Sequence, residues 1–418
     1  KGLCLAQLAQ SRSRSRMLGL LFAQPVAFTV HHHAPPRVPL PVHHQPQPVA
    51  PHQRPARATA APSIAALTAA ARIERSSVVD MAADKPLKVG VVGVTGAVGK
   101  EIINVLEARG FAVSELKLFA SARSAGKEIE TPFGTRMIEE FELEAARACD
   151  VLFLAVSGDF ALEWVPQLTA DGGPLVIDNS SAYRYDDTVP LCVPEINADA
   201  ARNSKKKLVA NPNCTTAIAL MALAPLHNLF GIKRCIMSTY QAASGAGAPG
   251  MQELEEGSAA IANGGEAENS VFAHPLPFNV IPHIDKFLDD LYTKEERKVT
   301  WETRKIMDLP DLPVSCTCVR IPTLRAHAES ITIECEKPVD VAAAVAALEA
   351  SPGVKVVDKP SDQLYPMPLT ASGAYDVEVG RIRKNDVFGE YGLDLFVCGD
   401  QLLRGAALNA VLIAEAVC

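Results

Sequence analysis

At 418 residues, 48% hydrophobic and 21% charged, the chain is long enough for two domains with substantial cores, and collagen-like or wholly disordered classes are excluded. Its net charge of -8 is uneven, because residues 1–73 hold eight Lys or Arg and no acid, leaving 32 basic against 48 acidic residues for the rest. An acidic body repels nucleic-acid phosphates and carries no basic stripe with interleaved aromatics, so nucleic acid is not an expected partner.

The opening runs from a Ser-Arg repeat (Ser11 to Arg16) through a short apolar stretch (Met17 to Phe22) into a Pro- and His-rich segment, and its first acid is Glu74. Basic, Ser-containing, acid-free openings of this kind resemble organelle transit peptides, so residues 1–80 are read as a chloroplast address outside the fold. The bland alternative is a solubility tail. No stretch approaches the roughly 20 apolar residues of a membrane span. The ten cysteines lack the spacing of a secreted disulfide framework, and Cys316-Thr-Cys318 has no partner pair for a tetrahedral metal site; free thiols and no metal are expected.

From Lys85 the pattern alternates short apolar runs with helical segments, as in a parallel α/β sheet. Strands are expected at Leu87 to Val92, Glu115 to Phe119, Val151 to Val156 and Pro174 to Ile177, with helices at Val98 to Ala108 and Phe160 to Leu168. After Cys214 the character changes. A helix is expected from Thr215 to Phe230, then strands near Cys235 to Gln241, Cys316 to Ile321 and Ser330 to Glu334. The fold class is therefore α/β: an N-terminal Rossmann-type dinucleotide domain over 85–213, then a mixed α+β catalytic and dimerisation domain over 214–393. The apolar terminal segment, about 400–418, is expected to pack back on the first domain.

Two local patterns carry chemistry. Gly93-Val-Thr95-Gly96-Ala97-Val98-Gly99 ends a strand and opens a helix, where backbone amides meet a pyrophosphate. The spacing is G-x-x-G-x-x-G rather than G-x-G-x-x-G, and the alternative is a ligand-free turn. The second strand ends in Ser121-Ala-Arg123-Ser124 instead of an acid, which suits the 2′-phosphate of NADP. Farther on, Asn211-Pro-Asn-Cys-Thr-Thr216 puts Cys214 at a helix start, where the thiolate is favoured. Cys214 is the candidate nucleophile; the other nine cysteines read as core residues.

The glycine loop, Ser-Ala-Arg-Ser-Ala-Gly, Asn-Pro-Asn-Cys-Thr-Thr, Gln241-Ala-Ala-Ser-Gly-Ala-Gly and Val319-Arg320-Ile-Pro-Thr-Leu-Arg-Ala-His327, in that order, resemble the aspartate-semialdehyde dehydrogenase family from about Lys85 to the C-terminus. The resemblance implies Cys214 as nucleophile, Gln241 as the residue orienting the acyl intermediate and His327 as acid/base. It implies Arg320 for the substrate carboxylate, Arg184 and Lys298 for phosphate, and Glu295 for the substrate ammonium. It further implies NADPH-dependent reduction of L-aspartyl-4-phosphate in the biosynthesis of lysine, threonine, methionine and isoleucine, by a homodimer or homotetramer. Gln401 and Arg404 depart from the Asn and Lys of many members. The rivals are an N-acetyl-glutamyl-phosphate reductase, disfavoured because its nucleophile motif is Gly-Cys-Tyr, and an inactive NADP-binding relative.

Overall fold

The computed structural model describes residues 85–418, so the expected transit segment lies outside the described residues. Seven strands build the first sheet: β1 (Leu87–Val92), β2 (Val113–Ala120), β3 (Glu128–Ile129), β4 (Arg136–Glu140), β5 (Val151–Leu154), β6 (Leu175–Asp178) and β7 (Leu208–Ala210). Their order is β3-β4-β2-β1-β5-β6-β7, parallel throughout except for the β3–β4 pair. The chain leaves β1 towards β2 on one side and returns to β5 on the other. The carboxyl end of β1 is thus a switch point, where open α/β sheets bind ligands.

Successive residues explain why this sheet is buried on both faces. Val92, Leu152, Leu154 and Val176 point into one core, while Val91, Phe153 and Ile177 point into another. The second core is closed by the helix Ala97–Ala108, through Ile102 and Leu106, and by the terminal segment, through Leu403, Leu408, Val411 and Ile413. That terminal segment begins with a π-helical turn, Leu403–Ala407, and continues as an α-helix over Leu408–Val417.

Six strands build the second sheet: β8 (Ile232–Gln241), β9 (Val314–Arg320), β10 (His327–Cys335), β11 (Val354–Val356), β12 (Val377–Lys384) and β13 (Gly392–Gly399), in the order β11-β12-β13-β10-β8-β9. It is mixed, with β8–β9 and β11–β12 parallel and the remaining pairs antiparallel. On its inner face Ile331, Ile333 and Val397 share the first core with Leu152 and Leu154.

The helix Cys214–Phe230 runs through that core. Ile218, Leu220, Leu223 and Leu226 are all buried, and a helix apolar on every side belongs in an interior. Asn213 starts it, its side-chain oxygen accepting the backbone N–H groups of Thr215 (3.0 Å) and Thr216 (3.2 Å). Element boundaries differ from the sequence expectation in instructive places. β5 ends at Leu154 rather than Val156, because the chain must turn where Gly93 comes against the Ala155 carbonyl. The next helix starts at Gly158, two residues early, because the Ser157 hydroxyl caps the Phe160 N–H.

Candidate active site

The dinucleotide loop is shaped by what a side chain would strike. Gly93 has φ +86°, and a Cβ there would lie 2.3 Å from the Ala155 oxygen; a Cβ on Gly99 would lie 2.4 Å from the Gly93 oxygen. Gly96 caps the helix Ala97–Ala108 without a side-chain acceptor, leaving its first amides without an intrahelical partner. Thr95 and Gly96 are exposed, Ala97 and Val98 half-buried. This is a cradle that a pyrophosphate fits, and nothing in the loop fills it. The Gly93 N–H donates to the Phe119 carbonyl at 2.9 Å, which brings the end of β2 alongside. There Ser121 and Arg123 are exposed and Ser124 is buried. Within the Ser121 to Gly126 turn the Ser124 N–H donates to the Ser121 carbonyl at 2.8 Å.

Adjoining the loop at Val98 lies a cavity of about 750 Å³. Six of the sequence-derived residues line it: Val98, Arg184, Cys214, Gln241, Glu295 and Lys298, with Arg320 as a seventh. His327 closes the set, its Nε2 lying 3.4 Å from the Cys214 sulfur. The Ser121 to Ser124 turn does not line this cavity; Val98 is the residue that joins cavity and loop.

His327 is the first residue of β10 and fully buried. Its Nδ1 accepts the Ala242 N–H at 3.0 Å. A backbone N–H can only donate, so in the neutral ring the proton sits on Nε2, pointing at sulfur. Burial, with Arg320 nearby, pushes the imidazole down to about 3, so the ring is neutral at ordinary pH. It therefore stands ready to donate a hydrogen bond or proton at Nε2. To act as a base there it must first give up Ala242.

The thiol itself departs from the sequence expectation. A helix start was expected to favour the thiolate, yet burial, with Glu295 adding to it, pushes the Cys214 thiol up to about 12 against the opposing pull of Arg184 and Arg320. The helix terminus is present, but desolvation outweighs it. Gly405, in the π-helical turn, passes so close that a Cβ there would sit 2.5 Å from the Cys214 Cβ.

The charged residues are organised around two carboxylates on the helix Lys294–Ile306. Glu295 accepts from Asn213 Nδ2 (2.9 Å), Gln241 Nε2 (3.2 Å) and Lys298 Nζ (2.9 Å). Burial alone would raise this carboxyl, but Lys298 and the two amides hold it down at about 2. Lys298 also donates to Asp285 at 2.8 Å, and Glu295 with Asp285 keeps its ammonium above the usual lysine range despite burial. The pair is thus part of the cavity wall rather than a surface helix pair, and each member is the other's partner.

Glu302, two turns on, carries no sequence signal and is fully buried. It accepts the Asn213 N–H (2.5 Å) and Arg184 Nη1 (3.1 Å), with burial raising its carboxyl against those partners. It ties the phosphate candidate Arg184 to the nucleophile's cap. Arg184 Nη2 is occupied by the Asn179 carbonyl at 2.8 Å. Arg320 is anchored at one end, Nη1 to the Ala242 carbonyl at 2.5 Å, under the Phe272 ring 5.6 Å away. Gln401, set aside in the sequence because it departs from the family pattern, lines the cavity and pairs with the Ser244 hydroxyl. Its neighbours serve the scaffold: Arg404 pairs with Glu195 at 2.8 Å, and Asn409 donates to the Cys192 carbonyl. Cys316 and Cys318 lie sulfur to sulfur at 3.6 Å in the core, away from the cavity lining.

A dinucleotide cradle at a switch point, beside a half-buried cysteine paired with a buried imidazole and ringed by Arg, Lys and Glu, defines an oxidoreductase acting on a carbonyl through a cysteine. The comparisons narrow that class. Residues 88–204 match the semialdehyde dehydrogenase NAD binding domain and residues 223–404 the semialdehyde dehydrogenase dimerisation domain. Aspartate-semialdehyde dehydrogenases of Synechocystis (44% identical, 79% of this chain and 97% of the relative) and Aquifex aeolicus (45%, 78% and 97%) align along the same span. The solved aspartate semialdehyde dehydrogenase II of Vibrio cholerae, complexed with ASA, superposes with a TM-score of 0.75 at 38% identity, covering 79% of this chain and 98% of that one. The chain belongs to the aspartate-semialdehyde dehydrogenase family.

Proposed function

We propose that this chain reduces L-aspartyl-4-phosphate to L-aspartate-4-semialdehyde and inorganic phosphate with NADPH, through a thioester on Cys214, supplying the biosynthesis of lysine, threonine, methionine and isoleucine. The observation that carries this reading is Cys214, 3.4 Å from an imidazole N–H, in a cavity whose charges match the substrate's. A phosphate calls for separate cations, which Arg184 and Lys298 supply. A carboxylate suits the free edge of the Arg320 guanidinium, and an ammonium suits Glu295. Substrate then takes over partners that Lys298 and Glu295 offer each other in the empty site.

The Cys214 thiol loses its proton as its sulfur attacks the acyl carbon, Arg184 and Arg320 favouring the thiolate as it forms, and the departing phosphate takes up one proton and leaves as the monohydrogen ion. NADPH held at the Gly93 to Gly99 cradle would supply the hydride that reduces the resulting thioester. His327 Nε2–H faces the oxygen and sulfur of the thiohemiacetal, whose collapse frees the aldehyde and returns the thiolate with no net proton change at sulfur. Gln241, held by Glu295 and by the Thr239 hydroxyl (3.0 Å), orients the acyl group. NADP rather than NAD is favoured by Arg123 and Ser121 at the end of β2, where an acid would hold the free ribose hydroxyls. The N-acetyl-glutamyl-phosphate reductase alternative is disfavoured by the nucleophile motif, which reads Asn213-Cys214-Thr215 here rather than Gly-Cys-Tyr.

The test is reduction of NADP by purified protein given aspartate semialdehyde and phosphate. Turnover that needs phosphate and stops without it supports the reading, and no turnover refutes it. The match to a dimerisation domain makes the protein an oligomer; a homodimer or homotetramer is the form we propose, to be read by light scattering. The acid-free opening supports a chloroplast stroma location. Fusion of residues 1–80 to a fluorescent protein should direct it to plastids, and a chain starting near Lys85 should stay soluble and active.

A further inference from the structure

Arg325 stands two residues before His327, in the segment that supplies both Arg320 and His327, and neither substrate recognition nor proton donation uses it. Its Nε donates to Asp400 at 2.5 Å and its Nη1 to Glu101 at 2.7 Å. These partners belong to different parts of the fold. Glu101 lies on the helix Ala97–Ala108, three residues after Val98 and so on the face that presents Val98 to the cavity. Asp400 follows β13, is fully buried, and also accepts the N–H groups of Gly373 (2.6 Å) and Leu402 (2.9 Å). Ala326, between Arg325 and His327, has φ +67°, a left-handed conformation that a residue with a Cβ keeps only when its surroundings hold it. What holds it is the residue next to Asp400: Gln401 accepts the Ala326 N–H at 2.8 Å. The dipeptide Asp400–Gln401 therefore fixes both sides of the turn that aims His327. Arg325 carries that fixed point across to the helix that opens the dinucleotide loop.

We propose that Arg325 is a positioning residue for the hydride step: by spanning Glu101 and Asp400 it holds the helix of the dinucleotide loop in register with His327 and Cys214. The proposal rests on the reaction proposed above. It separates the two half-reactions, because thioester formation from acyl phosphate needs only the cavity residues, whereas hydride transfer needs the loop and the cavity aligned. Glu101→Ala cuts the tether at its helix end and leaves the Arg325–Asp400 contact in place; Arg325→Met cuts both ends.

In the apoenzyme, both substitutions should raise amide hydrogen exchange in residues 97–108, and unchanged exchange would overturn the tether. In kinetics, phosphate release from aspartyl phosphate without cofactor should stay within about threefold of wild type for Glu101→Ala. The first-turnover burst of NADPH from NADP and aspartate semialdehyde, without phosphate, should slow roughly tenfold or more, with a larger isotope effect from the deuterated aldehyde. Because the two residues act as one link, the double variant should be no slower than Arg325→Met. Equal loss in both half-reactions, multiplying effects in the double variant, or an unslowed burst in Glu101→Ala each contradict the proposal. If Arg325→Met does not fold, Glu101→Ala alone decides. A wild-type enzyme without a burst would instead sink the proposed reaction, not the tether.

Discussion

The dinucleotide loop and the nucleophile cavity meet at Val98 and are built on opposite principles. The loop recognises with backbone: seven consecutive residues, glycines where a Cβ would strike the Ala155 or Gly93 oxygen, and an open helix start. The cavity recognises with side chains: Arg184, Cys214, Gln241 and Glu295 come from separate segments, Arg320 and His327 from one more, and all but the half-buried Cys214 are buried. A backbone site tolerates exposure because its donors are fixed by the chain. A side-chain site must be buried for its charges to act strongly, and it then needs partners such as Glu302 to keep each charge satisfied.

Substitutions should therefore behave differently in the two regions. The largest effect is expected for Cys214→Ala, which should abolish turnover while fluorescence titration shows NADPH binding nearly unchanged; loss of cofactor binding would mean that cavity and loop are not separable. Next comes acid. Glu295 is held at about 2 against an ordinary 4.5, so its ionised pairing stabilises the fold fully above about pH 4.5 and is lost as pH falls towards 2. Relative to Glu295→Gln, wild type should lose roughly 3 kcal/mol across that window in denaturant titrations. A gap independent of pH would mean that the pairing contributes no charge term.

Arg320→Lys follows. It keeps the charge but loses the fork, and losing one charge-assisted hydrogen bond, about 1.5 to 3 kcal/mol, should lower kcat/KM by roughly one to two decades with cofactor affinity unmoved. Near-wild-type efficiency would make Arg320 a purely structural cation. The smallest effect belongs to the exposed loop: Arg123→Ala should weaken NADP by roughly tenfold, a solvent-screened contact, and leave NAD unchanged. Equal losses for both cofactors would remove the 2′-phosphate assignment.

The same contrast explains what could be read from the sequence. β1 and the helix after it were legible because an apolar run, a glycine cluster and a helical repeat are neighbours in the chain, and the observed Leu87–Val92 and Ala97–Ala108 lie within a residue of expectation. The Asn213 cap was legible for the same reason. Glu302, Asp285 and Asn179 had no comparable signal, since each matters only through a residue far away in sequence, as Glu302 does through Asn213 and Arg184. Gln401 was set aside for departing from a pattern, although its contacts with Ala326 and Ser244 put it in the wall of the cavity. The thiol's ordinary-state protonation also escaped sequence reasoning, because desolvation depends on everything packed around the helix start.

The covalent step on Cys214 is the centre of this account, and intact-protein and peptide mass spectrometry tests it most directly. Enzyme mixed with aspartyl phosphate in the absence of NADPH should carry one aspartyl thioester on Cys214, absent in Cys214→Ala and discharged when NADPH is added. An adduct on another of the nine described cysteines, or phosphate release with no adduct on any of them, would contradict it.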